Sequence, residues 1–152
     1  MGDEMKVNIK KLKENAVIPK YESAGAAGMD LTATSKTYDK HGNVVYGTGL
    51  AFEIPEGYVG YIFPRSSNAK KDLLLSNSIG VIDSDYRGEV IFKFKELPYK
   101  FGNMASYAHP KSHEVGDRIG QIIIMPYPKI DFVEVDELDE TERGSGGFGS
   151  TG

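Results

Sequence analysis

Leu50-Ala51-Phe52-Glu53-Ile54-Pro55-Glu56-Gly57-Tyr58-Val59-Gly60-Tyr61-Ile62-Phe63 decides the fold class. A mostly apolar run meets a Pro-Glu-Gly turn signal, and an aromatic, β-branched run follows. That is two short strands joined by a turn, with one glycine inside the second. The same signature repeats outward from it. Val7-Asn8-Ile9-Lys10 alternates, and Val90-Ile91-Phe92-Lys93-Phe94 is β-branched and aromatic. Ile119 to Met125 reads as a strand buried on both faces and stopped by Pro126. No window carries long helical periodicity, and one short helix is expected around Ala69-Lys70-Lys71-Asp72. Short strands divided by Gly, Pro and Asn turns predict an all-β sandwich or barrel without internal repeats.

The 152 residues suit one domain with its own core. Cys is absent, which excludes disulfides and thiolate metal sites. His41, His109 and His113 are scattered without metal-ligand spacing, which argues against a catalytic zinc. The N-terminus Met1-Gly2-Asp3-Glu4-Met5-Lys6 has no apolar run of a secretory signal. Ile122-Ile123-Ile124-Met125 is far too short to cross a bilayer. A cytoplasmic protein is expected. A net charge of −4 disfavours a broad nucleic-acid-binding face but leaves room for a local anion site. The four arginines, Arg65, Arg87, Arg118 and Arg143, each lie in a segment rich in Gly, Ser or Asp. Arginine grips phosphate with two parallel hydrogen bonds, where lysine acts as a point charge.

The C-terminus changes character. Residues 1–130 are expected to form the β-domain, and 131–152 an acidic linker followed by a Gly-rich flap of the same domain. Asp131 to Glu142 carries seven acidic residues and no basic one, as a solvated linker would. Arg143-Gly144-Ser145-Gly146-Gly147-Phe148-Gly149-Ser150-Thr151-Gly152 follows. Glycine loses much entropy on ordering, so this tail is disordered alone. Its composition suits closure on a ligand, with backbone N–H groups and hydroxyls for phosphate, Arg for charge and Phe for stacking.

Five segments, in order, resemble the dUTP pyrophosphatase (dUTPase) family. They are Ala24-Gly25-Ala26-Ala27-Gly28-Met29-Asp30-Leu31, Pro64-Arg65-Ser66-Ser67, Gly80-Val81-Ile82-Asp83-Ser84-Asp85-Tyr86-Arg87-Gly88, Gly116-Asp117-Arg118-Ile119-Gly120-Gln121, and the tail from Arg143. The resemblance implies a jelly-roll-like subunit, a homotrimer whose active sites draw on all three chains, Mg²⁺ as cofactor and dUTP as substrate. It implies that Asp83 binds the sugar 3′-hydroxyl and acts as base toward the attacking water. Read alone, Asp83 and Asp85 are equally turn residues ahead of Gly88. Tyr86 would pack on the deoxyribose. The hairpin from Leu73 through Gly80, Val81 and Ile82 would read uracil through main-chain groups and exclude the thymine methyl, with Asn77 adding a side-chain contact. Ser66 and Ser67 would bind phosphate, Arg65 would support the site or the subunit interface, and Gln121 would contact the α-phosphate. Asp30 would hold the Mg²⁺ water shell or brace Arg65. Mg²⁺ keeps several waters and takes few protein ligands, so no dense cage is expected. Arg143 and Phe148 would close the lid with the backbone of Gly147 and Gly149, and Ser150 and Thr151 would reach the γ-phosphate.

The chain departs from the family pattern in three places. Met29 stands where an aromatic is usual, 68–72 differs in wording, and Glu96 to Glu114, with Tyr99, Phe101, Tyr107 and His109, is longer. A dCTP deaminase of this fold would carry Gly where Asp85 stands, and Glu where Lys93 stands. A regulatory nucleotide-binding trimer is the remaining alternative, with the longer 96–114 stretch as the place to look.

Overall fold

The computed structural model describes residues 4–98 and 110–150. Ten strands run in order: β1 Asn8–Lys11, β2 Met29–Thr32, β3 Ser35–Tyr38, β4 Asn43–Gly47, β5 Leu50–Glu53, β6 Tyr58–Phe63, β7 Leu73–Leu75, β8 Gly80–Ile82, β9 Ile91–Glu96 and β10 Arg118–Pro126. Every pairing is antiparallel. One four-stranded sheet has the order β2-β10-β6-β8, a second β3-β4-β9-β7, and β1-β5 forms a small third. The chain passes between sheets, β7 lying on an edge of the second and β8 on an edge of the first. This is the expected all-β, jelly-roll-like architecture.

The strands form because their apolar residues repeat with the two-residue period of a pleated strand. β9 shows it cleanly, with Phe92 and Phe94 buried while Ile91, Lys93 and Lys95 face outward. Phe92 and Phe94 stack, and Tyr46 of β4 meets Phe94 edge to face with ring centroids 5.8 Å apart. Leu31, Leu50, Ile54, Leu73, Ile119 and Ile122 complete the centre of the core. Each such side chain stabilises the fold by about 1.5–3 kcal/mol through burial. The buried Tyr46 hydroxyl is satisfied, donating to His113 O at 2.8 Å and accepting from His113 N at 3.0 Å.

Tyr58–Phe63 is a strand over its expected residues, and Pro126 closes β10. The expected burial of Ile119–Met125 on both faces is corrected. Ile119 and Ile122 are buried, but Ile123 and Ile124 are only half-buried and Met125 is exposed. β10 runs inside its sheet between β2 and β6, and the exposure of its residues rises toward its C-terminal end. The short helix is a 3₁₀ turn at Ser66–Lys70, displaced toward the N-terminus from the expected 69–72. Tyr99, Phe101, Tyr107 and His109 lie outside the described residues. Among the described residues no helix is long and apolar enough to cross a membrane.

Candidate active site

One group of polar residues collects where β2, β10 and β6 run side by side. Gln121 of β10 sits opposite Asp30 of β2 and opposite Phe63, the last residue of β6. Pro64 ends that strand, and the chain turns through Arg65 into the 3₁₀ turn that begins at Ser66. Gln121 Nε2 donates to Pro64 O at 3.1 Å, tying the turn to β10. Arg65 Nε donates to Asp30 Oδ1 at 3.2 Å, and Arg65 Nη1 to Ser67 Oγ at 3.3 Å. Arg118 Nη1 donates to the other Asp30 oxygen, Oδ2, at 3.2 Å. A carboxylate mostly shielded from water thus holds two guanidinium groups in place. The first N–H groups of a helical turn lack intrahelical partners. Those of Ser66 and Ser67, beside their hydroxyls and the free edges of two guanidiniums, suit a polyphosphate. The sequence marks Arg118 only as one of four arginines suited to an anion, without a role of its own in the site. Its Gly116-Asp117-Arg118 setting was the available signal.

A second group stands at β8. The turn after β7 bonds Ser78 N to Leu75 O at 2.9 Å and Ile79 N to Asn77 O at 2.7 Å. Ser78 takes φ 63°, the left-handed region. At Gly80 a Cβ would lie 2.2 Å from Ile62 Cγ1, so only glycine lets the turn close onto β6. Among the described residues β8 pairs with β6 alone, and an edge strand presents unpaired N–H and C=O groups. A planar base carrying donors and acceptors can pair with that edge at Gly80, Val81 and Ile82. Beyond it Asp83 is exposed and lines an open cleft of about 1060 Å³ with Tyr61, Val81, Asp85, Arg87 and Lys129. Tyr86 N–H donates to Asp83 O at 3.1 Å, and Tyr86 Oη–H donates to Glu89 O at 2.8 Å, which lays the ring over Gly88. Arg87 is spent locally, donating from Nη1 to Ser84 O at 2.6 Å and to Tyr86 O at 3.2 Å.

Asp83 does not reach the first group within one chain, although Gly80, opposite Ile62, is nearly level with it. Ile82 pairs with Gly60, so Asp83 is level with Val59, whereas Gln121 is level with Phe63. Four residues of strand separate those levels by about 13 Å, and β8 and β10 flank β6 on opposite sides, about 10 Å apart. Asp83 therefore lies roughly 16 Å from Gln121 by strand spacing. The described part of the tail joins neither group. The chain leaves the barrel after Tyr127 N donates to Gly57 O at 3.0 Å, and no helix or strand follows among the described residues. Ile130, Phe132, Val133, Val135 and Leu138 are exposed along with the acidic residues. Arg143 folds on its own segment, its Nε donating to Gly146 O at 2.9 Å, and Ser150 N donates to Gly147 O at 3.1 Å. Phe148 is fully exposed at φ 53°, with Gly149 at φ 84°. Thr151 lies outside the described residues.

The chain matches the dUTPase family over residues 14–152. It belongs to that family. A deoxyuridine 5′-triphosphate nucleotidohydrolase of Nautilia profundicola is 45% identical over 150 residues, covering 97% of this chain and 99% of the relative. The mitochondrial counterpart in Dictyostelium discoideum is 41% identical, covering 95% and 75%. A mutant dUTPase of Staphylococcus bacteriophage 80alpha solved with dUpNHpp superposes with a TM-score of 0.79 at 27% identity, covering 97% and 98%. The deaminase alternative also fails locally in this dUTPase-family chain. Lys93, where that family would carry Glu, donates from Nζ to Asp39 Oδ2 at 3.2 Å and is committed to it.

Proposed function

We propose that this chain hydrolyses dUTP to dUMP and pyrophosphate. The observation that carries the proposal is Asp83, an exposed carboxylate set directly beyond the open edge of β8 and over the cleft. The Asp83 carboxylate takes a proton from water as the water oxygen bonds the α-phosphorus. The bond from the α-phosphorus to the bridging oxygen breaks, and pyrophosphate leaves with that electron pair. Gly80, Val81, Ile82 and Asn77 read the base, and Tyr86 supports the sugar. Ser66, Ser67, Gln121, Arg65 and Arg118 bind the phosphates and offset their charge. Mg²⁺ carried on the phosphate oxygens would supply further neutralisation of the leaving group. Both Asp30 oxygens are taken by guanidiniums, so Asp30 braces the arginines, and such a metal would be held by the phosphates and its waters. Among the described residues no three carboxylates or imidazoles gather into a cage of their own.

The separation of Asp83 from the first group supports a homotrimer in which Asp83 of one copy faces the phosphate-binding residues of a neighbour. The exposed C-terminal end of β10 and the uncovered Ile130–Leu138 segment are surfaces that such an assembly would cover. The tail, with Arg143, Gly147, Phe148, Gly149, Ser150 and Thr151, would close over a site on another copy. The test is pyrophosphate release from dUTP, dCTP, dTTP and UTP, each with Mg²⁺ and with EDTA. Release from dUTP alone, abolished by EDTA and by Asp83→Asn, is expected. No release from dUTP overturns the proposal and leaves the regulatory trimer.

A further inference from the structure

The turn Ser76–Ile79 is exposed along its length and holds a left-handed serine at Ser78. Such backbone persists only where its surroundings over-determine it. At one end the Gly80–Ile62 contact does so. At the other end the constraint comes from Asn43, distant in sequence at the start of β4. Ser76 Oγ–H donates to Asn43 Oδ1 at 2.7 Å, and Ser76 N–H donates to Lys93 O at 2.9 Å. Asn43 is 8% exposed, so its amide can make only the bonds that the fold provides. Its Nδ2 donates to Asp39 Oδ2 at 2.9 Å, and its backbone N–H donates to Asp39 Oδ1 at 2.9 Å. Asp39 also accepts from His41 N at 2.9 Å and from Lys93 Nζ at 3.2 Å. The Asn43 side-chain amide, its backbone N–H and Lys93 hold the Asp39 carboxyl well below the usual carboxylate range. Asp39 is therefore only an acceptor, and Asn43 must turn its oxygen to Ser76. Lys93 closes the ring, its ammonium on Asp39 and its carbonyl on Ser76.

We infer that Asp39, Asn43 and Ser76 are positioning residues for the base-reading turn. The inference rests on the assignment of Asn77 and Gly80 to the base, proposed above. None of the three bonds the substrate. They hold main-chain groups at one spacing, so that uracil pairs and the thymine methyl meets a rigid wall. Loosening the turn weakens base binding while leaving Asp83, beyond β8, to turn over bound substrate.

The experiment measures kcat and KM for dUTP and dTTP in the full-length chain for Ser76→Ala, Ser76→Thr, Asn43→Ala, Ser76→Ala with Asn43→Ala, and Asn77→Ala. Loss of one such hydrogen bond in Ser76→Ala is expected to raise KM for dUTP about five- to tenfold. Its kcat stays within about twofold, its preference for dUTP over dTTP falls, and Ser76→Thr restores both. The double variant is no worse than Asn43→Ala alone, because one shared bond is lost. Ser76 is exposed, so its variants keep the test readable even if Asn43→Ala unfolds. A KM raised by Asn77→Ala but unchanged by Ser76→Ala overturns this inference alone. A KM unchanged in Asn77→Ala overturns the base-reading assignment beneath it.

Discussion

Substituting a single carboxylate should separate binding from turnover in this chain. Asp83→Asn keeps the shape of the side chain but removes the base, and general-base catalysis contributes about 10²–10⁴-fold. We expect kcat to fall by that factor with KM for dUTP within about threefold, measured by steady-state pyrophosphate release. Gly80 is a packing constraint of a different kind. A Cβ there would sit 2.2 Å from Ile62 Cγ1. Overpacking of this sort costs about 1–3 kcal/mol. Thermal melts should show a lower Tm for Gly80→Ala than for the parent. An unchanged Tm would show that the turn has slack. His113 is buried, and its Nε2 has no hydrogen-bond partner among the described residues. Burial lowers its pKa from the ordinary 6.5, and the nearby Lys71 adds to that. The unfolded chain then takes up a proton that the folded chain refuses. The His113 contribution is therefore flat above about pH 6.5, declines as pH falls below that, and levels off once pH is under the lower folded value. Urea unfolding at about pH 7.5 and about pH 5.5 should show a smaller loss of stability in His113→Asn than in the parent.

Among the elements, the tail is the one whose fold and function separate. It makes its own turns and stands clear of the cleft that holds Asp83. Ending the chain after Glu142 removes Arg143, Phe148 and the Gly-rich backbone without opening the core. We expect Tm to stay within about 3 °C, since surface changes alter stability little. We expect kcat/KM for dUTP to drop at least about 100-fold, as the loss of a closing, charge-bearing segment implies. A truncated chain with full activity would remove the tail from the site. The legibility of elements also divides here. β6 and β9 were plain in the sequence because they alternate or concentrate β-branched and aromatic residues. β3, Ser35-Lys36-Thr37-Tyr38, was not, since its pairing with β4 rather than its own composition makes it a strand.

At the scale of the whole molecule the separation of about 16 Å between Asp83 and Gln121 is the governing fact. If neighbouring copies complete each site, two inactive chains should rescue each other. Asp83→Asn and the chain ended after Glu142, unfolded together and refolded as a mixture, are expected to recover measurable dUTP hydrolysis. Each refolded alone stays inactive. A mixture as inactive as its components would place Asp83 and the tail of one site on the same chain.

The sequence by itself determined the strand-rich class, which follows from side-chain type and short spacing and is local. The segments and residues proposed for the site came from the resemblance of five short stretches to the dUTPase family. The sequence could not show that Asp30 holds Arg118 as well as Arg65, because that contact joins residues 88 positions apart through the pairing of β2 with β10. Nor could it show that Ile123 is only half-buried and Met125 exposed. An apolar run looks the same whether its own chain or a second copy covers it. Only the tertiary structure placed Gln121 and Asp83 level with opposite ends of β6, because strand order and register are set by long-range packing.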